Sequence, residues 1–172
     1  MRGDLLFLSS CFVLAMAGAI YAGGVEVAAT EPESALVQRG VAFATVHSIR
    51  VRAAEIPVGQ VMDIPPEAGA ANYQRYCVQC HGAPGVEPSA VGVGMRPSPA
   101  NLSRAAIRWS SGELFWIIKN GLRRTGMPAW KETLSDEAIW SLVALVGRLP
   151  YMAPKEYAAL AKLPPPKQVA RR

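Results

Sequence analysis

The chain has 172 residues, 51% of them hydrophobic and 18% charged, with eighteen Lys and Arg against thirteen Asp and Glu for a net charge of +5. That length suits one domain of ordinary size plus extensions, and the composition excludes intrinsic disorder, which needs few apolar residues and high charge. Three cysteines are too few for a scaffold built on disulfides.

Residues Leu5 to Val25 form an uncharged run of 21, preceded by Arg2 and Asp4 and followed by Glu26, Glu31 and Glu33. About 20 apolar residues suffice to cross a bilayer core of ~30 Å as a helix, so residues 1–25 read as a signal or membrane-anchor segment. Ala17-Gly18-Ala19 offers a small-x-small cleavage site, which leaves a cleaved signal open. The run continues through Ile20 and Tyr21 to Val25 and so favours a retained anchor. Leu8-Ser9-Ser10-Cys11 superficially fits a lipoprotein box, but only four apolar residues precede it, and Cys11 reads as a small apolar residue of the anchor. Arg2 on one side and three acids on the other are compatible with a cytoplasmic N-terminus and an exported body.

Residues 26–63 read as a linker with a helix over 33–54, where Leu36, Phe43, Val46 and Ile49 alternate with Arg39, His47, Arg50 and Arg52. This is a spacer helix or one lying on a membrane surface, with His47 a solvated member. Pro57, Pro65 and Pro66 mark a boundary near residue 63. Residues 64–150 then carry the signals of a compact helical unit. Pro66 suits a first helical position, and Glu67 to Tyr76 leads, through Ala68, Ala71 and Tyr73, into a cysteine pair. Ser110-Ser111-Gly112-Glu113 fits a capping box for a helix that carries Leu114 to Lys119 and ends at Asn120-Gly121. Ser135, Asp136 and Glu137 open a further helix with Ile139, Leu142, Val143 and Val146 at i, i+3, i+4 and i+7, ending before Pro150. The stretch from Gly82 to Asn101 is a loop rich in Pro and Gly, and residues 151–172 are a basic tail opened by Pro164-Pro165-Pro166. No strand pattern competes, so the predicted class is all-α. A unit of this size has a marginal core by itself and calls for a staple or a cofactor.

Cys77-Val78-Gln79-Cys80-His81 supplies one. Two thiols three residues apart on one turn can add to the two vinyl groups of a porphyrin, and the next residue places an imidazole under the iron; the pattern reads as c-type haem attachment. A thiol–disulfide redox motif would need a βαβ context, and structural zinc would need four ligands where the only other His is remote His47. The second axial position decides between electron transfer and ligand chemistry. Met127 is the candidate, set in Gly126-Met127-Pro128-Ala129-Trp130 just before the last helix of the unit. There Gly126 would let the chain approach a porphyrin and Pro128 would fix backbone direction. Met95 reads as a lid residue packing on the macrocycle, and Met62 and Met152 as boundary residues.

With Gly69 and Tyr73 in the first helix, Cys77, Cys80, His81 and Gly82, the Met127 loop, and Leu134 to Trp140 opening the final helix, residues 66–150 resemble a class I c-type cytochrome. Together with the N-terminal hydrophobic segment and Ala28-Ala29-Thr30-Glu31-Pro32, the chain is similar to membrane-anchored monohaem cytochrome c subunits of bacterial respiratory chains. The resemblance implies the cytochrome c fold, a small all-α domain around one covalent haem c, here with an N-terminal hydrophobic helix and a helical spacer. It implies that Gly69 crosses the last helix at the Leu142 to Leu145 turn. It also implies that a backbone carbonyl of the proline-rich loop, at Pro97 or Pro99, holds the His81 Nδ1 proton. Trp109 reaches a haem propionate or is an ordinary core residue. Trp116, Trp130 and Trp140 are expected in packing, and Leu114, Ile117 and Ile118 on the haem face or in generic core packing.

His81 and Met127 as axial ligands leave no vacancy at the iron, and the expected function is single-electron transfer rather than catalysis. Expected partners are redox proteins: a membrane or periplasmic dehydrogenase or a quinol-oxidising complex as donor, an oxidase or soluble cytochrome as acceptor, with no nucleic acid. The domain would face the periplasm from the bacterial cytoplasmic membrane, held by its N-terminal helix, or be soluble there after cleavage. From Arg96 to Lys131 seven bases (Arg96, Arg104, Arg108, Lys119, Arg123, Arg124, Lys131) face one acid, Glu113. They steer an acidic partner or form a solvated basic face. Two other readings stay open: a fixed haem subunit of a membrane oxidoreductase complex, and a haem sensor or peroxidase with an open iron.

Overall fold

The computed structural model describes residues 2–31, 33–58 and 61–162. Among them the chain is helical and holds no strand, only an isolated bridge between Ala83 and Val86. The Pro164-Pro165-Pro166 tail lies outside the described residues. Two units form, residues 1–41 and 42–172.

In the first unit, α1 (Arg2–Tyr21) is apolar on every side, and Leu6, Phe7, Leu8, Phe12, Val13 and Leu14 are exposed. The helix stops at Tyr21 and turns at Ala22 and Gly23, short of the predicted run to Val25. Its uncharged part, Leu5 to Tyr21, is then about 26 Å long at ~1.5 Å per residue, below the ~30 Å of a bilayer core. Among the described residues no helix is long and apolar enough to cross a membrane. The expected spanning helix is corrected accordingly.

Helix α2 (Ala35–Ala53) runs from the first unit into the second. From Ala42 onward it belongs to the compact unit and buries Ile49 and Ala53 there. Ala53 and the following Ile56 and Val58 pack over Gly112, and Arg50 meets Glu113 at 3.6 Å. This half of the predicted spacer is thus part of the domain. His47 is exposed, as expected, and stacks on Phe43.

The rest of the second unit comprises α3 (Ala70–Tyr76), α4 (Val78–His81), α5 (Ala90–Gly94), α6 (Leu102–Ala105), α7 (Ser111–Asn120), α8 (Asp136–Arg148) and α9 (Pro154–Leu160). Short 3-10 turns cover Val61–Asp63, Pro66–Gly69, Ala106–Arg108 and Leu149–Tyr151, the last carrying Pro150. The capping box at Ser110 and Glu113 forms in both directions. At the start of α8 the Ser135 hydroxyl accepts from the Ala138 N–H. The Glu137 carboxyl is held below the usual carboxylate range there by hydrogen bonds from its own backbone N–H and the Ser135 hydroxyl.

The core centres on α8, where Ile139, Leu142, Val143 and Leu145 are fully buried with Tyr73, Leu149 and Tyr157. Gly69 is required at the crossing with α8, because a Cβ there would fall on the Ser141 carbonyl and lie 3.1 Å from Leu145 Cβ. Met152, expected at a boundary, is buried in this core. The predicted loop from Gly82 to Asn101 contains α5, capped by Ser89 and packed at Gly92 against Cys80 of α4.

Candidate functional site

Helices α3 and α4 would be continuous but for Cys77, whose φ of −118° opens the chain between them. Hydrogen bonds from the Cys80 and His81 N–H groups to the Cys77 carbonyl, at 3.1 and 3.0 Å, then wind Cys77, Cys80 and His81 into one turn. All three line a single apolar cavity of about 280 Å³. Burial, with Cys80 beside it, pushes the Cys77 thiol up to about 12, so it is protonated at neutral pH.

The His81 ring is fixed by its Nδ1, which lies 2.7 Å from the carbonyl oxygen of Ala100. A carbonyl only accepts, so Nδ1 carries the proton and Nε2 keeps its lone pair. The expected partner was the carbonyl of Pro97 or Pro99; the loop instead presents the residue after Pro99. Both prolines line the cavity wall. Ala100 carries no side-chain signal that sequence could have read.

Met127 lines the same cavity from a separate loop that follows α7. Gly121, at φ +65°, turns the chain out of the helix, and a Cβ there would lie 2.6 Å from the Pro128 carbonyl carbon. The Leu122 N–H donates to the Met127 carbonyl at 3.3 Å. Thr125 ties the tip, its hydroxyl donating to the Leu122 carbonyl at 2.7 Å and accepting from the Met127 N–H at 3.1 Å. Thr125 went unnoticed in the sequence, although a Thr two residues before a loop residue is a recognisable local turn signal.

Leu114, Ile117 and Ile118 line the cavity, Leu114 and Ile118 also belonging to the buried core, Trp109 stands on its wall, and Met95 lines it too. Of the three Trp residues assigned to packing, Trp140 stacks on Phe115 and Trp116 borders a small groove with Thr45, Ser48 and Ile49 of α2. Trp130 packs as well, partly buried against the core. It lines the cavity and meets Tyr76, ring centroids 4.7 Å apart, joining the base of the Met127 loop to the cysteine helix.

Lys119 pairs with Asp136 at 2.8 Å and Lys131 with Glu132 at 3.8 Å, while Arg96 donates to the backbone carbonyls of Val93 and Met95. Arg96, Arg104, Arg108, Arg123 and Arg124 are exposed. Arg124 holds a left-handed φ of +65°, alone in this among the described non-glycine residues.

Residues 65–146 match the family described as Cytochrome C oxidase, cbb3-type, subunit III. Searches of curated proteins and of solved structures returned no match. The matched segment runs from the turn before Gly69 to Val146 on the cavity wall, and it contains both cysteines, His81 and Met127. The match indicates a c-type cytochrome domain there, and that family binds covalent haem c. The residues present fit that group: two thiols and an oriented imidazole on one turn, opening into an apolar cavity.

Proposed function

We propose, from the c-type cytochrome domain within residues 65–146, that this chain is a monohaem electron-transfer protein with His81 and Met127 as axial ligands. The observation that carries the reading is the shared cavity: His81, with Nδ1 committed to Ala100, and Met127, on a loop tied by Thr125, line one apolar space with Cys77 and Cys80. The bound haem supplies a one-electron iron couple. The chain's part is to hold Nε2 of His81 and the thioether of Met127 toward it, to exclude water with Leu114, Ile117 and Ile118, and to present a docking face. A thioether ligand and apolar burial favour the less charged, reduced state.

Donor and acceptor are redox proteins, and the exposed Arg96, Arg104, Arg108, Arg123 and Arg124 favour an acidic docking surface. Residues 1–25 deliver the domain to the periplasmic side of the cytoplasmic membrane. They are then removed after Ala19, and the intact mass of the purified protein tests that removal.

The test of electron transfer over ligand chemistry is carbon monoxide. The reduced protein is expected to bind it slowly or not at all, with a single one-electron wave on potentiometric titration. Rapid binding would establish an open iron and overturn the reading in favour of a sensor or peroxidase. A second reading, a fixed haem subunit of a membrane oxidoreductase complex, is favoured by the description of the matched family as an oxidase subunit. A monomer on native gels after mild solubilisation supports a free carrier; a stable co-migrating complex supports the subunit.

A further inference from the structure

Met95 stands where the two ligand-bearing loops meet, and neither the attachment chemistry nor the axial pair accounts for it. Its backbone is anchored on the His81 side. The Met95 N–H donates to the Gly92 carbonyl at 3.3 Å, ending α5, and Gly92 in turn lies flat on Cys80 and Gln79. The Met95 carbonyl accepts from Arg96 Nη1 at 2.8 Å, and the chain continues directly to Ala100, whose oxygen holds His81. The side chain reaches the other way. A Cβ built on Gly126 would lie 2.7 Å from Met95 Sδ and 3.1 Å from Cε, so the thioether covers the bare face of the residue next to Met127.

The hydrogen bonds of the Met127 loop tip are internal to the loop, among Leu122, Thr125 and Met127. Its base is held by Trp130 against Tyr76 and by the Trp130 N–H to the Ile118 carbonyl. Such a loop can open as a unit about its base, and the frequency of that opening sets how often Met127 leaves the iron. A methionine is the side chain suited to close it, because an unbranched, polarisable thioether fits a glycine face without a fixed shape.

We propose that Met95 is a positioning residue for the sixth ligand: its thioether clasps Gly126 and ties the Met127 loop to the segment that orients His81. This rests on Met127 being that ligand. The clasp also gives Gly126 its reason, since the missing Cβ makes room for Met95 as well as for the cofactor. Both residues must then be read together, and replacing either one releases the loop.

The test uses imidazole as an external ligand to the oxidised, full-length holoprotein, at concentrations where its binding is limited by departure of the internal one. Met95→Ala is expected to accelerate that limiting rate about tenfold, with Met95→Leu, which refills the space, closer to wild type. Gly126→Ala, which pushes the thioether aside, is expected to accelerate it similarly and to add nothing in the Met95→Ala background. It also keeps the inference open to refutation if Met95→Ala does not fold. Rates unchanged in Met95→Ala or Gly126→Ala, with the sulfur-to-iron charge-transfer band intact in wild type, would overturn the clasp alone. A wild-type protein without that band would overturn the ligand assignment and the clasp with it.

Discussion

The Nδ1 of His81 lies 2.7 Å from the carbonyl oxygen of Ala100, and this contact decides which ring nitrogen is left to bind iron. The carbonyl belongs to a segment stiffened by Pro97 and Pro99, so the ring is aimed by backbone rather than by another mobile side chain. Replacing Pro99 with Gly is expected to loosen that carbonyl and weaken the hold on His81 about 10- to 100-fold, the usual effect of losing an outer hydrogen bond to a metal ligand. Absorbance of the oxidised protein in a denaturant series checks it: ligand loss should begin at a lower denaturant concentration in the variant than in wild type.

At the helix crossing, Gly69→Ala drives a methyl group into the Ser141 carbonyl and against Leu145. Backbone cannot step aside as a side chain can, so the cost is expected at about 1–3 kcal/mol or more. Thermal or denaturant unfolding of the holoprotein checks it. A variant as stable as wild type would mean that the turn and α8 are not in fixed contact.

Arg124 is held in the left-handed region at the tip of the Met127 loop, a conformation that costs a residue with a Cβ about 1–2 kcal/mol. Arg124→Gly removes that strain and loosens the unfolded chain, for a net stabilisation of about 0.5–1 kcal/mol in denaturant. The same change is expected to slow association with an acidic redox partner at low salt and to flatten the dependence of that rate on ionic strength. A variant both more stable and slower to associate marks an Arg retained for docking.

Tyr157 of α9 lies beyond the family match yet is buried, its ring edge-on to Tyr73 and its hydroxyl accepting from Gln74 Nε2 at 2.9 Å. Tyr73 donates in turn to the Gly82 carbonyl at 2.7 Å, next to His81. Burial pushes the Tyr157 phenol up from 10.0 toward 12, with the Gln74 bond opposing; the contribution of Cys77 disappears once its sulfur is a thioether. A folded value raised above the unfolded one contributes stability that is complete below the unfolded value. The protein should therefore lose stability as pH rises from 10 toward 12. Unfolding in urea across that window checks the sign, and Tyr157→Phe should shallow the slope. Tyr157→Ala, which also removes the ring, is expected to cost about 3–5 kcal/mol.

Much of this was legible in the sequence because it is written in side chains with fixed spacing. The cysteine pair with His81, the Met127 loop, the capping box at Ser110 and the apolar period of α8 each state a local geometry that tertiary packing leaves intact. The parts that escaped are tertiary or backbone in nature. Ala100 acts through a carbonyl that any residue carries, and the ring on which Trp130 packs, Tyr76, is distant in sequence. The half of α2 from Ala42 onward reads as a polar spacer because only Ile49 and Ala53 are buried, too few to show as a stripe. The N-terminal run was over-extended since hydropathy registers Ala22 to Val25 as apolar while the backbone has already turned at Gly23.

The most direct test of the account is the absorption spectrum of the oxidised protein at the red end of the visible range. Thioether ligation by Met127 predicts a weak sulfur-to-iron charge-transfer band in wild type that disappears in Met127→Ala while haem remains covalently attached by mass. A wild-type protein lacking the band, or a band that persists in Met127→Ala, would contradict it.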